Sequence, residues 1–152
     1  MDATLFVSSL GCHELFLNGH RLGLAVLQPG FSTLYPARVL YTAHNISGLL
    51  NYGTQNTIGV RLSSCKYGWQ DTYCALGQRR CVAVKLELVA DSAVVLHTEA
   101  TSQQWRATQG PYALDGSRYP NRSLFDGVRY DQALDDQYWC CLLYTSPSPR
   151  DS

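Results

Sequence analysis

Apolar residues run through Glu14-Leu-Phe-Leu-Asn-Gly-His-Arg-Leu-Gly23 in an order that predicts a β-hairpin: they lead up to Asn18-Gly19 and resume at Leu22. A type I′ turn needs positive φ at both central residues, and Asn-Gly is the pair that best tolerates this. Turning there sets Leu17 opposite His20 and Leu15 opposite Leu22. Leu15, Leu17 and Leu22 then share one face, with Phe16 and Arg21 on the other. The leucine face is the expected start of a core.

The same alternation recurs along the chain. Ala3 to Val7 predicts a strand with Leu5 and Val7 inward, and Ser8 to Cys12, holding Gly11, predicts a bend. Gln28-Pro29-Gly30 is a turn. Tyr35-Pro36 interrupts the next segment, which resumes at Val39, Leu40 and Tyr41. Asn45-Ile-Ser-Gly-Leu-Leu-Asn-Tyr-Gly53 has the layout of one helical turn, with Asn45 or Ser47 as cap and Gly53 in the left-handed position. Ile58, Val60 and Leu62 predict an inward strand face. Ser63 to Gln78 is a long polar and aromatic loop. Val82 to Val89 is the clearest strand, with Val82, Val84, Leu86 and Leu88 on one side. Val94 to Thr98 returns beside it. Trp105 to Thr108 is a short strand ending at Gly110-Pro111, and Val128 to Asp131 begins the last one after Asp126-Gly127. Many short strands divided by turns, with no helix of ordinary length, predict an all-β sandwich or jelly roll.

Composition narrows the classes of function. At 152 residues the chain has room for one cored domain. Hydrophobic content of 45% against 16% charged places it among globular chains. Twelve basic residues balance twelve acidic ones, so charge gives no reason to expect nucleic acid or an anionic membrane as partner. No apolar run has the length of a membrane span, and no signal peptide is visible, so the compartment stays open. Ten tyrosines and three tryptophans suit strands, and also surfaces that handle sugars.

The run Cys141-Leu-Leu-Tyr-Thr-Ser-Pro-Ser-Pro-Arg-Asp151 resembles a translated sequencing adapter. On that expectation the native domain ends near residue 140, residues 141–152 are a non-native tail, and the chain is a fragment. Four of the six cysteines then remain, Cys12, Cys65, Cys74 and Cys81. Their spacing is not that of a zinc site. Two readings stay open: a disulfide from Cys65 to Cys74 or Cys81 in a secreted protein, or buried free thiols.

Chemistry-bearing residues cluster in the long loop. Tyr67, Trp69 and Tyr73 can offer a stacking platform for a sugar ring, with Gln70 and Asp71 as partners for its hydroxyls. Alternatively, Trp69 plugs the end of the sandwich. Asp126, Asp131, Asp135 and Asp136 include carboxylates near in sequence, which alone fixes no catalytic geometry. Asp126 is assigned to its turn and Asp135-Asp136 to a solvated run. His13, His20, His44 and His97 show no ligand spacing, so no metal residue is assigned. Asn45 and Asn121 head glycosylation triplets, relevant only to a secreted eukaryotic protein.

Three stretches resemble, in order and spacing, the N-terminal domain of bacterial-type α-L-rhamnosidases. The first is Ala3-Thr-Leu-Phe-Val-Ser-Ser-Leu-Gly11 leading into Glu14-Leu-Phe-Leu-Asn-Gly19. The second is Gln28-Pro-Gly30, Tyr41, Asn45-Ile-Ser-Gly-Leu-Leu50 and Gly68-Trp69. The third is Trp105-Arg106, Gly110-Pro111 and Phe125-Asp-Gly-Val-Arg-Tyr-Asp131. The resemblance implies a galactose-binding-like β-sandwich ahead of a separate catalytic (α/α)₆ barrel, with no catalytic residue carried on this chain. It implies a parent enzyme that hydrolyses terminal α-L-rhamnose with inversion. Expected partners are a rhamnose-containing glycan or glycoside and the catalytic domain, toward which Asp131 would reach. Some related domains bind rhamnose through calcium, so the resemblance leaves Ca2+ open as a cofactor, and no cofactor or ligand is assigned. Two alternatives stand beside this: a sugar-binding jelly roll of another multi-domain glycosidase, such as a β-galactosidase-like enzyme, and a stand-alone carbohydrate-binding protein.

Overall fold

The fold is that of a computed structural model, which describes residues 2–30, 38–63, 81–88, 93–97, 105–115, 127–136 and 138–141. Nine strands are described: β1 Ala3–Leu10, β2 Cys12–Leu17, β3 His20–Arg21, β4 Tyr41–Asn45, β5 Ile58–Ser63, β6 Cys81–Leu88, β7 Ala93–His97, β8 Tyr112–Asp115 and β9 Gly127–Tyr130. They form a four-stranded sheet ordered β4-β1-β6-β7, a three-stranded sheet ordered β3-β2-β5, and a β8-β9 ribbon. Every pairing is antiparallel. The predicted all-β sandwich is the observed architecture.

The hairpin forms as its residues dictate. Asn18 and Gly19 take φ of 52° and 85°, as a type I′ turn requires. Leu17 faces His20, Phe16 faces Arg21, and the Leu22 N–H donates to the Leu15 carbonyl at 2.8 Å. Asn18 has a second task. Its side-chain oxygen accepts from the Thr57 N–H at 2.8 Å and its amide donates to Asn56 at 2.9 Å, so the hairpin tip is tied to the segment entering β5.

The core lies between the two sheets. Ala3, Leu5 and Val7 of β1 meet Leu15, Leu17 and Leu22 of the hairpin, with Ile46 beside them. Leu50, Ile58, Val60, Val82 and Trp105 pack against this cluster. Period-two alternation produces both linings, because successive strand residues face opposite sides. The β1–β6 register sets Ala3 opposite Leu88, Leu5 opposite Leu86 and Val7 opposite Val84.

Four expectations need correction. β1 runs on through Leu10, so the predicted bend over residues 8–12 shrinks to Gly11 alone. Gly11 has φ of 135°, and a Cβ there would lie 2.3 Å from the Ser63 carbonyl oxygen. Second, Trp105 to Thr108 is not a strand; the strand begins at Tyr112, past Pro111, whose ring nitrogen has no hydrogen to give a ladder. The Pro111 carbonyl instead accepts from the Asp131 N–H at 2.8 Å. Third, the segment after Asn45 is a turn rather than a helix. The Asn45 side chain accepts from the Ser47 N–H at 3.0 Å and from its hydroxyl at 2.7 Å, a local closure that competes with helix. Fourth, Cys12, left out of the expected pairings, is disulfide-bonded; its partner lies outside the described side chains.

Leu5 is fully buried and Leu24 is 95% exposed. Leu5→Ala is expected to cost about 2–5 kcal/mol in urea unfolding, and Leu24→Ala to stay within about 0.5 kcal/mol. Reducing the Cys12 disulfide is expected to remove about 2–4 kcal/mol, read as a drop in unfolding midpoint with thiol present.

Candidate functional site

The outer face of the hairpin sheet gathers charge and aromatic surface. Glu14 and Phe16 project from β2 away from the leucines, Arg21 from β3 and Arg61 from β5. Glu14 Oε1 lies 2.9 Å from Arg21 and its Oε2 lies 3.6 Å from Arg61. Fixed by that carboxylate, the Arg61 guanidinium lies 5.4 Å from the Phe16 ring centre and 5.8 Å from that of Tyr112. Trp139 meets Phe16 edge-on at 5.4 Å and 74°. Its indole sits where β5 has no side chain: a Cβ on Gly59 would lie 2.8 Å from the Trp139 ring and 2.6 Å from the Cys140 Cβ. Burial raises the Cys140 thiol pKa, which keeps it protonated and unreactive.

The ribbon continues this surface. Tyr112 and Tyr130 are directly opposite, with ring centres 5.4 Å apart. The Tyr130 hydroxyl donates to Asp135, and that hydrogen bond is the main cause pushing its pKa up to about 12. Asp131 begins the 3₁₀ turn Gln132–Leu134, its carboxylate accepting from the Ala133 N–H at 3.0 Å. Asp136 accepts from the Tyr138 N–H at 2.9 Å. Asp131, Asp135 and Asp136 are therefore each engaged locally.

A second polar group sits on the inner side. His13 is buried, and its Nδ1 lies 2.8 Å from Ser9 Oγ. The Ser9 hydroxyl donates its one hydrogen to the Gly11 carbonyl at 3.0 Å, so Nδ1 must carry the imidazole proton. His13 Nε2 and His44 Nε2 lie 3.4 Å and 3.0 Å from the Thr42 hydroxyl oxygen. Burial first, then the neighbouring His44, lowers the His13 pKa to about 4; burial also lowers that of His44.

The expected sugar-stacking residues Tyr67, Trp69, Gln70, Asp71 and Tyr73 lie outside the described residues, as do Asn121 and Asp126. Asp131 is described and exposed at the end of the ribbon, and Asn45 ends β4 in its local turn. For calcium, among the described residues no group of three or more His, Cys, Asp or Glu is placed to hold a metal. The Asn45 side-chain oxygen is already taken by Ser47. The described residues do not fit the ion. Sequence reasoning missed the set Phe16, Arg61, Tyr112 and Trp139; the only local signal was Phe16 and Arg21 on the hairpin's outer face.

What the described residues define is a β-sandwich module whose exposed chemistry is ion pairing and aromatic stacking. Residues 1–147 match the family model of the alpha-L-rhamnosidase N-terminal domain, and the chain belongs to that family. It is 26% identical over 146 residues to an alpha-L-rhamnosidase of Formosa agariphila, covering 91% of this chain and 14% of that protein. An alpha-L-rhamnosidase of Streptomyces avermitilis is 28% identical over 92% of this chain and 14% of its own length. Among solved structures, the alpha-L-rhamnosidase from Dictyoglumus thermophilum superposes with a TM-score of 0.66 at 27% identity, over 92% of this chain and 14% of that one. The Aspergillus terreus enzyme superposes at 0.70 and 24% identity, over 93% and 16%, and so shares the fold. The chain thus spans about a seventh of the curated relatives it matches.

The buried His13 and half-buried His44 set a pH dependence. A group whose folded pKa is depressed binds more protons when unfolded, so stability falls as pH drops below the unfolded value. Stability is expected to be complete above pH 6.5 and to decline toward pH 4, by about 3 kcal/mol for His13. Urea unfolding at stepped pH checks this, and His13→Gln should flatten the slope.

Proposed function

We propose that this chain is the N-terminal accessory domain of a larger α-L-rhamnosidase that removes terminal α-L-rhamnose from glycosides or polysaccharides. The domain contributes no catalytic carboxylate. It braces the catalytic domain, or holds a rhamnose-containing glycan near it. The observation that carries this reading is the family match across residues 1–147, set against a chain that covers only 14% of these curated relatives.

Glycan binding is assigned to Tyr67, Trp69, Gln70, Asp71 and Tyr73, a stretch whose composition suits a sugar: aromatic faces for the apolar side of the ring, polar groups for its hydroxyls. The Cys12 disulfide supports folding in an oxidising compartment. Among the described residues, no helix is long and apolar enough to cross a membrane.

Two measurements test the reading. A released-rhamnose assay on the purified chain with aryl rhamnosides is expected to show no turnover, and hydrolysis above blank would contradict the accessory role. Calorimetric titration with L-rhamnose is expected to show weak binding that Trp69→Ala abolishes. Equal heats from the two proteins would remove that stretch from the proposal.

A further inference from the structure

A strand ribbon normally turns its apolar face to a core and its polar face to water. In β8–β9 an apolar face is left in water. Tyr112 and Tyr130 are directly opposite, and Val128 lies two residues from Tyr130, so all three share one face. That face is open to solvent: Tyr112 is 56% exposed, Val128 63% and Tyr130 48%. Leu134 and Tyr138, just beyond the ribbon, are also exposed. A two-stranded ribbon is marginal by itself in water and needs something to cover it. Its rings are nevertheless held in place, Tyr112 by Arg61 and Tyr130 by its bond to Asp135.

We infer that the Tyr112, Val128, Tyr130, Leu134 and Tyr138 surface is where this domain docks against the rest of its parent rhamnosidase. The inference rests on the proposed parent enzyme and names the face that meets it. The occupant follows from length. Each curated relative holds this matched stretch as 14% of its chain, so most of the polypeptide around it lies elsewhere. The chemistry fits a protein partner. Tyrosines anchored by neighbours supply contact area at small entropic cost, with aliphatic Val128 and Leu134 between them. Asp131, exposed just past the end of β9, gives the polar edge such a patch requires. Asp131 therefore belongs to the edge of the contact, its backbone N–H fixed by Pro111 and its carboxylate by the turn.

Hydroxyl-radical labelling read by mass spectrometry tests this on the isolated chain and on the intact protein encoded by the continuing reading frame. Tyr41 and Tyr52, exposed outside this patch, are the internal reference. In an intact, active rhamnosidase, Tyr112, Tyr130 and Tyr138 are expected to label about threefold or more slowly than in the isolated chain, as buried interface positions do. Tyr41 and Tyr52 should keep their rates. Val128→Asp should leave the isolated chain's unfolding midpoint unchanged while restoring Tyr112 labelling in the enzyme. Active enzyme with unchanged labelling at the three tyrosines overturns this inference and leaves the parent reading intact. So does protection that develops in the isolated chain as its concentration rises, which assigns the face to self-association. An intact protein without rhamnosidase activity overturns both.

Discussion

At Gly11 the chain passes from one sheet to the other within a single residue. β1 ends at Leu10 in the four-stranded sheet, and β2 starts at Cys12 in the three-stranded one. The backbone there takes a φ of 135° and runs so close to the Ser63 carbonyl that no side chain fits. Everything that closes the sandwich depends on this crossing. It sets Ala3, Leu5 and Val7 on one layer against Leu15 and Leu17 on the other, so one continuous extended stretch supplies both linings of the core. The nearby group of Ser9, Gly11 and His13 is part of the same construction, since the Ser9 hydroxyl accepts from the imidazole and donates to the Gly11 carbonyl.

The two faces of the hairpin divide the labour of the domain. Inward leucines are interchangeable with other apolar residues of like volume, because burial is non-directional. The outward residues are specific. Glu14 orients Arg61, Arg61 lies against Phe16 and Tyr112, and Trp139 needs the bare backbone of Gly59 to reach Phe16. Each contact is modest alone, but together they fasten the β8–β9 ribbon and the segment around Trp139 to the sandwich.

Much of this was legible in the chain. The Asn18-Gly19 turn, the buried side of β1 and the inward Ile58 and Val60 follow from period-two alternation and turn chemistry, which are local. The α-L-rhamnosidase resemblance, carried by stretches such as Asn45 to Leu50 and Phe125 to Asp131, matched the family shown by comparison. What escaped was set by long-range pairing. Alternation could not reveal that β1 lies between β4 and β6, nor that Tyr112 rather than Trp105 opens the strand beside β9. The aromatic set around Arg61 was missed for the same reason, since Phe16 and Trp139 are separated by most of the chain. Nor did cysteine spacing bring Cys12 into a disulfide.

The central place of β1 also bears on how the molecule assembles during synthesis. Its two ladder partners are Tyr41–Asn45 and Cys81–Leu88, so β1 leaves the ribosome well before either strand it pairs with. The Asn18-Gly19 hairpin needs only its own residues and can close at once. Until Leu88 emerges, β1 keeps a bare edge that a neighbouring nascent chain could capture. A slow, non-local closing step is the kinetic cost of starting a sheet from its middle.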